Sequence, residues 1–320
     1  MLSMKKRFKA IWQMIADTFR LYSDGHISKL SGSLAYFTVF SMGPLLVVII
    51  SLCGIFLSRE AIEGQVYQVL VNFVGSDTAN QLQEIIRNAS VQGKSKLAAL
   101  IGIITLLVGA TTVFAEIQDS INQIWGLKPK PSQGWLQYLK NRVLSFSVII
   151  SLGFLLLVSL ALSAVIEMIN SRLQRMIPGA TVAVFYIINL ILTIGISTLI
   201  FATIFRVLPD ARIRWRDVMA GAITTAILFL IGKFAISVYI SQAKIGSTFG
   251  AAGSLVVLLV WVYYSSVILY LGAAFTKVYA VRYGKAIEPN KYATTIQKVE
   301  LETDHASIQA NERDKQQIKG

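Results

Sequence analysis

Apolar residues along this chain are gathered into six blocks of roughly 20 residues, separated by polar connections. A helix of about that length crosses a hydrocarbon core of about 30 Å. Because backbone polar groups in lipid must be satisfied within the segment, the blocks predict helices. The six predicted spans are Ser33–Leu57, Leu97–Gln118, Val143–Met168, Thr181–Phe205, Val218–Ile240 and Leu255–Phe275. The pattern predicts an all-α integral membrane protein with its membrane domain over residues 33–281.

Residues 1–32 show a helical repeat of apolar positions rather than a continuous apolar run. Those positions are Phe8, Ile11, Trp12, Ile15 and Phe19, and charged residues occupy the opposite face. This pattern is typical of an amphipathic helix that lies in the membrane interface. A first helix packed on the cytoplasmic side of the bundle fits the same pattern equally well.

Two connections differ from the short ones. Residues 58–96 carry two amphipathic stripes on either side of Gly75-Ser76-Asp77, which supplies a helix-ending glycine and an N-cap. They predict a helical hairpin on the outer face, where a protein partner could dock. Residues 282–320 are polar and offer few large apolar groups, so a disordered cytoplasmic tail is predicted.

Composition and charge agree with this architecture. Hydrophobic residues make up 54% of the 320 residues and charged residues 15%, against about 25% charged in a soluble domain. The net charge of +13 would suit a nucleic-acid partner, but the basic residues are spread over the short connections. With the N-terminus inside, 21 Lys and Arg fall in inner connections and 7 in outer ones. The positive-inside rule then places both termini in the cytoplasm and predicts no nucleic-acid binding.

Four segments in order carry a family resemblance: SLAYFTVFSMGPLL from Ser33, EIQDSINQIWGLKPKP from Glu116, LPDARIRWRDVMAGA from Leu208, and STFGAAGSLVVLLVWVYYSSVILYLGA from Ser247. Together, over about Lys29 to Pro289, they resemble the YihY/BrkB family of bacterial inner-membrane proteins. The resemblance implies six membrane helices with cytoplasmic termini and no settled activity, since members have been labelled both as a ribonuclease and as a virulence factor. One departure is Ala274, where the family usually has Glu.

The sequence argues against an enzyme. A ribonuclease would need a histidine pair or a carboxylate cluster that holds a divalent metal. The two histidines, His26 and His305, lie in the N-terminal segment and the polar tail. Asp210 and Asp217 lie among four arginines, which favours ion pairing over metal binding. No metal or cofactor is therefore predicted, and a membrane-bound ribonuclease stays a remote alternative.

Two irregular segments predict a cleft between spans one, five and six. Gly43-Pro44 lies inside the first span, where proline removes a backbone donor, and a glycine-rich segment precedes the sixth span. We expect a broken first helix to face that segment; the alternative is that Gly43-Pro44 is only a packing kink. The cleft candidates are Thr38, Ser41, Gly43, Pro44, Lys233, Gly246, Gly250 and Gly253. Lys233 either snorkels to the outer interface or holds an anionic group in the cleft.

A second set of candidates lies at the inner face. Glu116 and Asp119 share one helical face at the end of span two, where structural pairing with arginine or a proton or cation site are both possible. The run RIRWRD alternates arginine with apolar residues, as in membrane anchoring or a phospholipid head-group patch. The inner-face candidates are Glu116, Asp119, Arg206, Arg212, Arg214 and Arg216.

The sequence thus predicts a non-enzymatic inner-membrane protein whose partners are membrane lipids. Its most concrete predicted activity is transporter-like handling of an anionic, lipid-like substrate through the cleft. The alternative is a non-transporting accessory or scaffold subunit, in which the same irregularities only serve packing.

Overall fold

The structure is a computed structural model that describes residues 4–53, 64, 67, 79–80, 83, 112–130, 180–242, 253–284 and 286–296. These residues are predominantly helical. The predicted outer hairpin and the third predicted span fall almost wholly outside the described residues. So do Gly246, Gly250 and His305.

Six helices can be described. The first two are α1, Met4–Asp24, and α2, Ile27–Cys53. Helix α3 is described over 112–125. The last three are α4, Ala180–Val207, α5, Trp215–Gln242, and α6, Gly253–Tyr283. Each of α2, α4, α5 and α6 covers most or all of a predicted span, and α3 covers the end of the second.

Three segments in the described part are long and apolar enough to cross a membrane: Ile187–Val207, Trp215–Ile236 and Leu255–Tyr283. They correspond to predicted spans four, five and six. At one end, each segment extends beyond the predicted span: to Val207, to Trp215 and to Tyr283. The extension is largest in α6, which runs eight residues past Phe275. At 1.5 Å per residue, the 31 residues of α6 reach roughly 46 Å, so this helix projects out of the hydrocarbon core.

The predicted break in the first span is wrong. Helix α2 runs without interruption through Gly43 and Pro44. Membrane helices tolerate this pair when neighbouring groups satisfy the backbone carbonyl that proline leaves unpaired. The local rule against proline in a helix interior is therefore overridden here.

Two small antiparallel sheets close one end of the bundle. Strand β1, Leu127–Pro129, follows α3 and pairs with β4, Ala293–Thr295, and β2, Ala211–Arg212, pairs with β3, Glu288–Pro289. The predicted disorder of the C-terminal tail is thus wrong for residues 286–296, because their backbone pairs with two connections between helices. Residues 297–320 lie outside the described part of the chain.

Helices α5 and α6 pack closely through a reciprocal pair of glycines and threonines. A Cβ atom at Gly221 would collide with the Thr276 side chain, and one at Gly272 would collide with Thr225. Each threonine donates its hydroxyl hydrogen at 2.7 Å to the carbonyl of the glycine in its own helix, Thr225 to Gly221 and Thr276 to Gly272. Small residues allow membrane helices to approach in this way. The contact fixes the first half of α5 against the second half of α6.

Candidate functional site

The best-defined polar site of the described chain lies where α3, the α4–α5 connection and the C-terminal strands meet. Asn122 Nδ2 donates a hydrogen bond of 2.8 Å to Asp210 Oδ2, and the backbone amide of Asp210 donates one of 2.9 Å to Asn122 Oδ1. Both side chains are buried, at 4% and 2% exposure. Buried polar groups of this kind need such partners, because each one left unpaired costs about 1–3 kcal/mol.

Three further residues complete this site. Gln118 Nε2 donates to the other carboxylate oxygen, Asp210 Oδ1, at 3.1 Å. The backbone amide of Asn290 donates to the Asp210 carbonyl at 2.9 Å, and Asn290 Nδ2 donates to the Tyr292 hydroxyl at 3.1 Å. Asp210 therefore joins three parts of the chain through its carboxylate, amide and carbonyl. We call Gln118, Asn122, Asp210 and Tyr292 the amide–carboxylate cluster.

The cluster changes the acidity of two of its members. Burial raises the pKa of Asp210, while hydrogen bonds from Asn122, Gln118 and Tyr292 act in the opposite direction. Burial also raises the pKa of Tyr292, and the nearby Asp210 charge adds to this rise. The Tyr292 hydroxyl consequently stays protonated and able to donate a hydrogen bond. Asp210 was predicted to pair with arginine, but amides hold its carboxylate instead.

The end of α3 is fastened to α6 beside this cluster. Gly126 has φ of +72°, the left-handed conformation that commonly ends a helix. Trp125 Nε1 donates to the Ala273 carbonyl at 3.0 Å, and Lys277 Nζ donates to the Ile124 carbonyl at 2.9 Å. A cation near the final carbonyls of a helix also interacts favourably with the helix dipole. Lys277, a residue of α6, therefore caps the C-terminal end of α3.

A second feature is a cavity of about 400 Å³ inside the helix bundle. Its lining comes from α2, α3, α4, α5 and α6 and is mostly aliphatic and aromatic, with a few hydroxyl groups. Thr38, Ser265 and Ser266 provide those hydroxyls, and Ser266 already donates to the Val262 carbonyl at 2.7 Å. The space suits an apolar chain better than an ion.

The predicted cleft candidates divide between this cavity and other places. Thr38 lines the cavity, and Ser41 is buried one turn further along α2. Lys233 is half-buried and lies one helical turn after Phe229, a cavity residue on the same face of α5. Gly253 is the first residue of α6. Gly43 and Pro44 are helical, with side-chain surroundings outside the described part.

The predicted inner-face residues lie at the same end of the bundle as the amide–carboxylate cluster. Arg206 stands 5.9 Å from the centre of the Trp215 ring, a cation–π distance. Arg212, Arg214 and Arg216 are exposed, with the intervening Ile213 buried. This alternation gives an exposed basic strip beside an exposed Trp215, in agreement with either membrane anchoring or head-group contact. Glu116 is half-buried and Asp119 is exposed.

Sequence reasoning missed Gln118, Asn122 and Tyr292. A signal was available for Gln118 and Asn122, because both lie in the segment EIQDSINQIWG. Asp210 lies in the segment LPDAR. Two of the four segments that carry the family resemblance therefore meet at one site. Tyr292 gave no signal because it lies in the polar tail. Ala274 is completely buried in α6, so a glutamate there would be buried as well.

Nothing in the described ranges gathers three or more metal-ligating side chains at one place. His26 lies in the turn between α1 and α2 with φ of +51°.

The bundle of long apolar helices and the comparisons with known proteins define this chain as a membrane protein. The sequence profile of the family described as "Virulence factor BrkB" matches residues 18–296. The chain therefore belongs to this family, and the match ends at the last residue of the docked C-terminal segment. No solved structure is significantly similar to it.

Three relatives illustrate the similarity, and each is named "UPF0761 membrane protein". The relative from Pseudoalteromonas atlantica is 27% identical over 82% of this chain and 85% of its own length. The relative from Psychromonas ingrahamii is 27% identical over 84% and 88%. The relative from Nitrosospira multiformis is 25% identical over 77% of this chain but only 56% of its own length. These names denote a membrane protein and no reaction.

Proposed function

We propose that this protein handles an amphipathic anionic, lipid-like substrate in the bacterial inner membrane, with both termini in the cytoplasm. The observation that carries the proposal is the cavity of about 400 Å³ inside the bundle. Ligand cavities are mostly apolar with a few placed polar groups, and this lining fits an acyl chain. Lys233, one turn after the cavity residue Phe229, supplies a cation for an anionic group.

The cavity is broader than the cleft that the sequence predicts. Spans one, five and six contribute Thr38, Phe229 and Trp261, and the second and fourth spans add Ile117 and Phe201. A site between five helices can change volume when any one of them shifts, which is what alternating access to a substrate requires.

The test is movement of fluorescent phospholipid across proteoliposome membranes that contain the full chain. Val262→Phe fills the cavity, and Val207→Phe adds the same bulk at a position of α4 that is 49% exposed. We expect Val262→Phe to abolish movement and Val207→Phe to preserve it. Lys233→Met should reduce movement of anionic lipid more than that of zwitterionic lipid.

Equal movement by wild type, Val262→Phe and empty liposomes would refute the proposal. The accessory-subunit alternative would then lead, and co-purification of a stable partner would support it.

A further inference from the structure

A second cavity, separate from the bundle cavity, lies between α1 and the inner end of α6. Its volume is about 820 Å³. The polar and aromatic residues that line it include Trp12, Asp17, Arg20, Asp24, Lys277 and Arg282. We call this space the α1–α6 cavity. Three cations and two carboxylates are among its lining residues.

Two of the three cations already make contacts with other groups of the protein. Arg282 donates to Gln13 Oε1 at 2.6 Å and lies 3.8 Å from the Asp17 carboxylate. Lys277 has three ammonium donors, and one of them donates to the Ile124 carbonyl. It also lines a neighbouring cavity of about 450 Å³, as does Asp24. Lys277 and Asp24 therefore border both spaces.

The position of the α1–α6 cavity matches the depth of lipid head groups. Helix α6 is roughly 16 Å longer than the hydrocarbon core, and Lys277 lies six residues, about 9 Å, before its end at Tyr283. Large apolar residues on α1 are exposed: Phe8, Ile11, Trp12, Ile15 and Phe19 have 40–74% of their surface accessible. Such a face fits the boundary between head groups and acyl chains.

Exposed apolar side chains line the cavity beside its charged residues. Trp12 is 66% exposed and Val281 is 72% exposed. A lipid could therefore place its head group against the charged residues and its acyl chains along these two side chains. A soluble anion would gain nothing from the apolar pair.

We propose that the α1–α6 cavity binds the phosphoethanolamine head group of a phospholipid in the leaflet that faces α1. Lys277 and Arg20 bind the phosphate, and Asp24 binds the ammonium group. The paired carboxylate and cations favour a head group that carries both charges over one that carries only a negative charge. This site stands whether or not the bundle cavity carries a substrate.

The experiment is native mass spectrometry of the delipidated full chain, titrated with phosphatidylethanolamine, phosphatidylglycerol or inorganic phosphate. Phosphatidylethanolamine should bind most tightly. Removing one charge-assisted hydrogen bond in Lys277→Met or Arg20→Gln should weaken this binding about tenfold. Asp24→Asn should remove the preference over phosphatidylglycerol. Lys29→Met, which deletes a charge from an exposed position outside the cavity, should bind as wild type does.

Several results would overturn the assignment. Equal binding of the two lipids by wild type would exclude phosphoethanolamine recognition, and displacement of lipid by millimolar phosphate would indicate a soluble anion. Since Lys277→Met also removes a contact with α3, Arg20→Gln and Asp24→Asn decide the matter if that variant fails to fold; unchanged binding in both would refute the site. Val262→Phe should not alter this binding, which separates the present site from the proposed substrate cavity.

Discussion

Asn122 and Asp210 bind each other twice, through Nδ2 to Oδ2 at 2.8 Å and through the Asp210 amide to Oδ1 at 2.9 Å. They lie 88 positions apart in the chain. The pair thus ties the end of α3 directly to the α4–α5 connection. Because both residues are buried, water cannot replace either partner.

Replacing one member of this pair should destabilise the protein markedly. Asn122→Ala leaves the Asp210 carboxylate and amide without two partners, each worth about 1–3 kcal/mol when buried. We expect a clear fall in melting temperature in mild detergent. Asn189→Ala is the matched control, since Asn189 is exposed on α4. If both variants melt together with the wild type, the pair contributes nothing to stability.

The raised pKa of Asp210 predicts a specific pH dependence. The folded protein holds the carboxyl proton more tightly than the unfolded chain, whose pKa is near the ordinary 3.8. This contribution is fully present below pH 3.8 and is lost as pH rises through the folded pKa. The free energy of unfolding should therefore fall less steeply in Asp210→Asn than in the wild type as the pH rises above 3.8. Chemical denaturation of both proteins across that range would reveal a difference curve of this sign; the opposite slope would contradict it.

The docked C-terminal segment predicts different results for two truncations. Ending the chain after Ile296 keeps both small sheets, so the protein should fold and melt as the full chain does. Ending it after Ile287 removes β3, β4 and Tyr292, which should lower the melting temperature and expose Asp210 to solvent. Limited proteolysis at the α4–α5 connection measures the second effect. Equal protease resistance of both truncations would show that the strands are dispensable.

The close contact of α5 and α6 predicts opposite effects of two identical substitutions. Gly221→Ala places a methyl group against Thr276, whereas a Cβ at Gly195 meets no atom within 4 Å. The first should destabilise the protein, and the second should be neutral or slightly stabilising because alanine favours helix. Thermal melts compare them. Adding Thr276→Ala, which removes the Oγ1 atom nearest to the new methyl group, should recover part of the loss only if the threonine side chain causes the collision.

The orientation of the chain can be tested with cysteine labelling. Cys53 is the only cysteine, so a Cys53→Ala background is free of thiols. A cysteine at the exposed Lys128 should react with an impermeant maleimide only after the cells are permeabilised, and one at Ser76 should react in intact cells. Labelling of Lys128→Cys in intact cells would show that the orientation is the reverse of the predicted one. The α1–α6 cavity would then lie in the other leaflet.

The apolar blocks predicted the long helices well because a helix in lipid needs little besides length and hydrophobicity. The sequence could not predict the amide–carboxylate cluster, since Asn122 and Asp210 meet only through tertiary packing. The strands escaped detection because two or three residues are too few to show an alternating pattern, and Pro289 argued against a strand. Gly43-Pro44 misled the sequence analysis because a rule based on the backbone of one helix takes no account of tertiary packing, and the helix continues through this pair.

The pairing of Leu127 with Thr295 also sets an order of events during biosynthesis. Strand β1 leaves the ribosome while α4, α5 and α6 are still to be synthesised, and it must wait for β4 through the insertion of all of them. The sheet of β1 and β4 can therefore form only when α6 is in the bilayer with its C-terminal end on the same side as β1. A chain whose last helix inserted wrongly would leave two strand edges unpaired, the kind of surface that quality-control proteases and chaperones can reach.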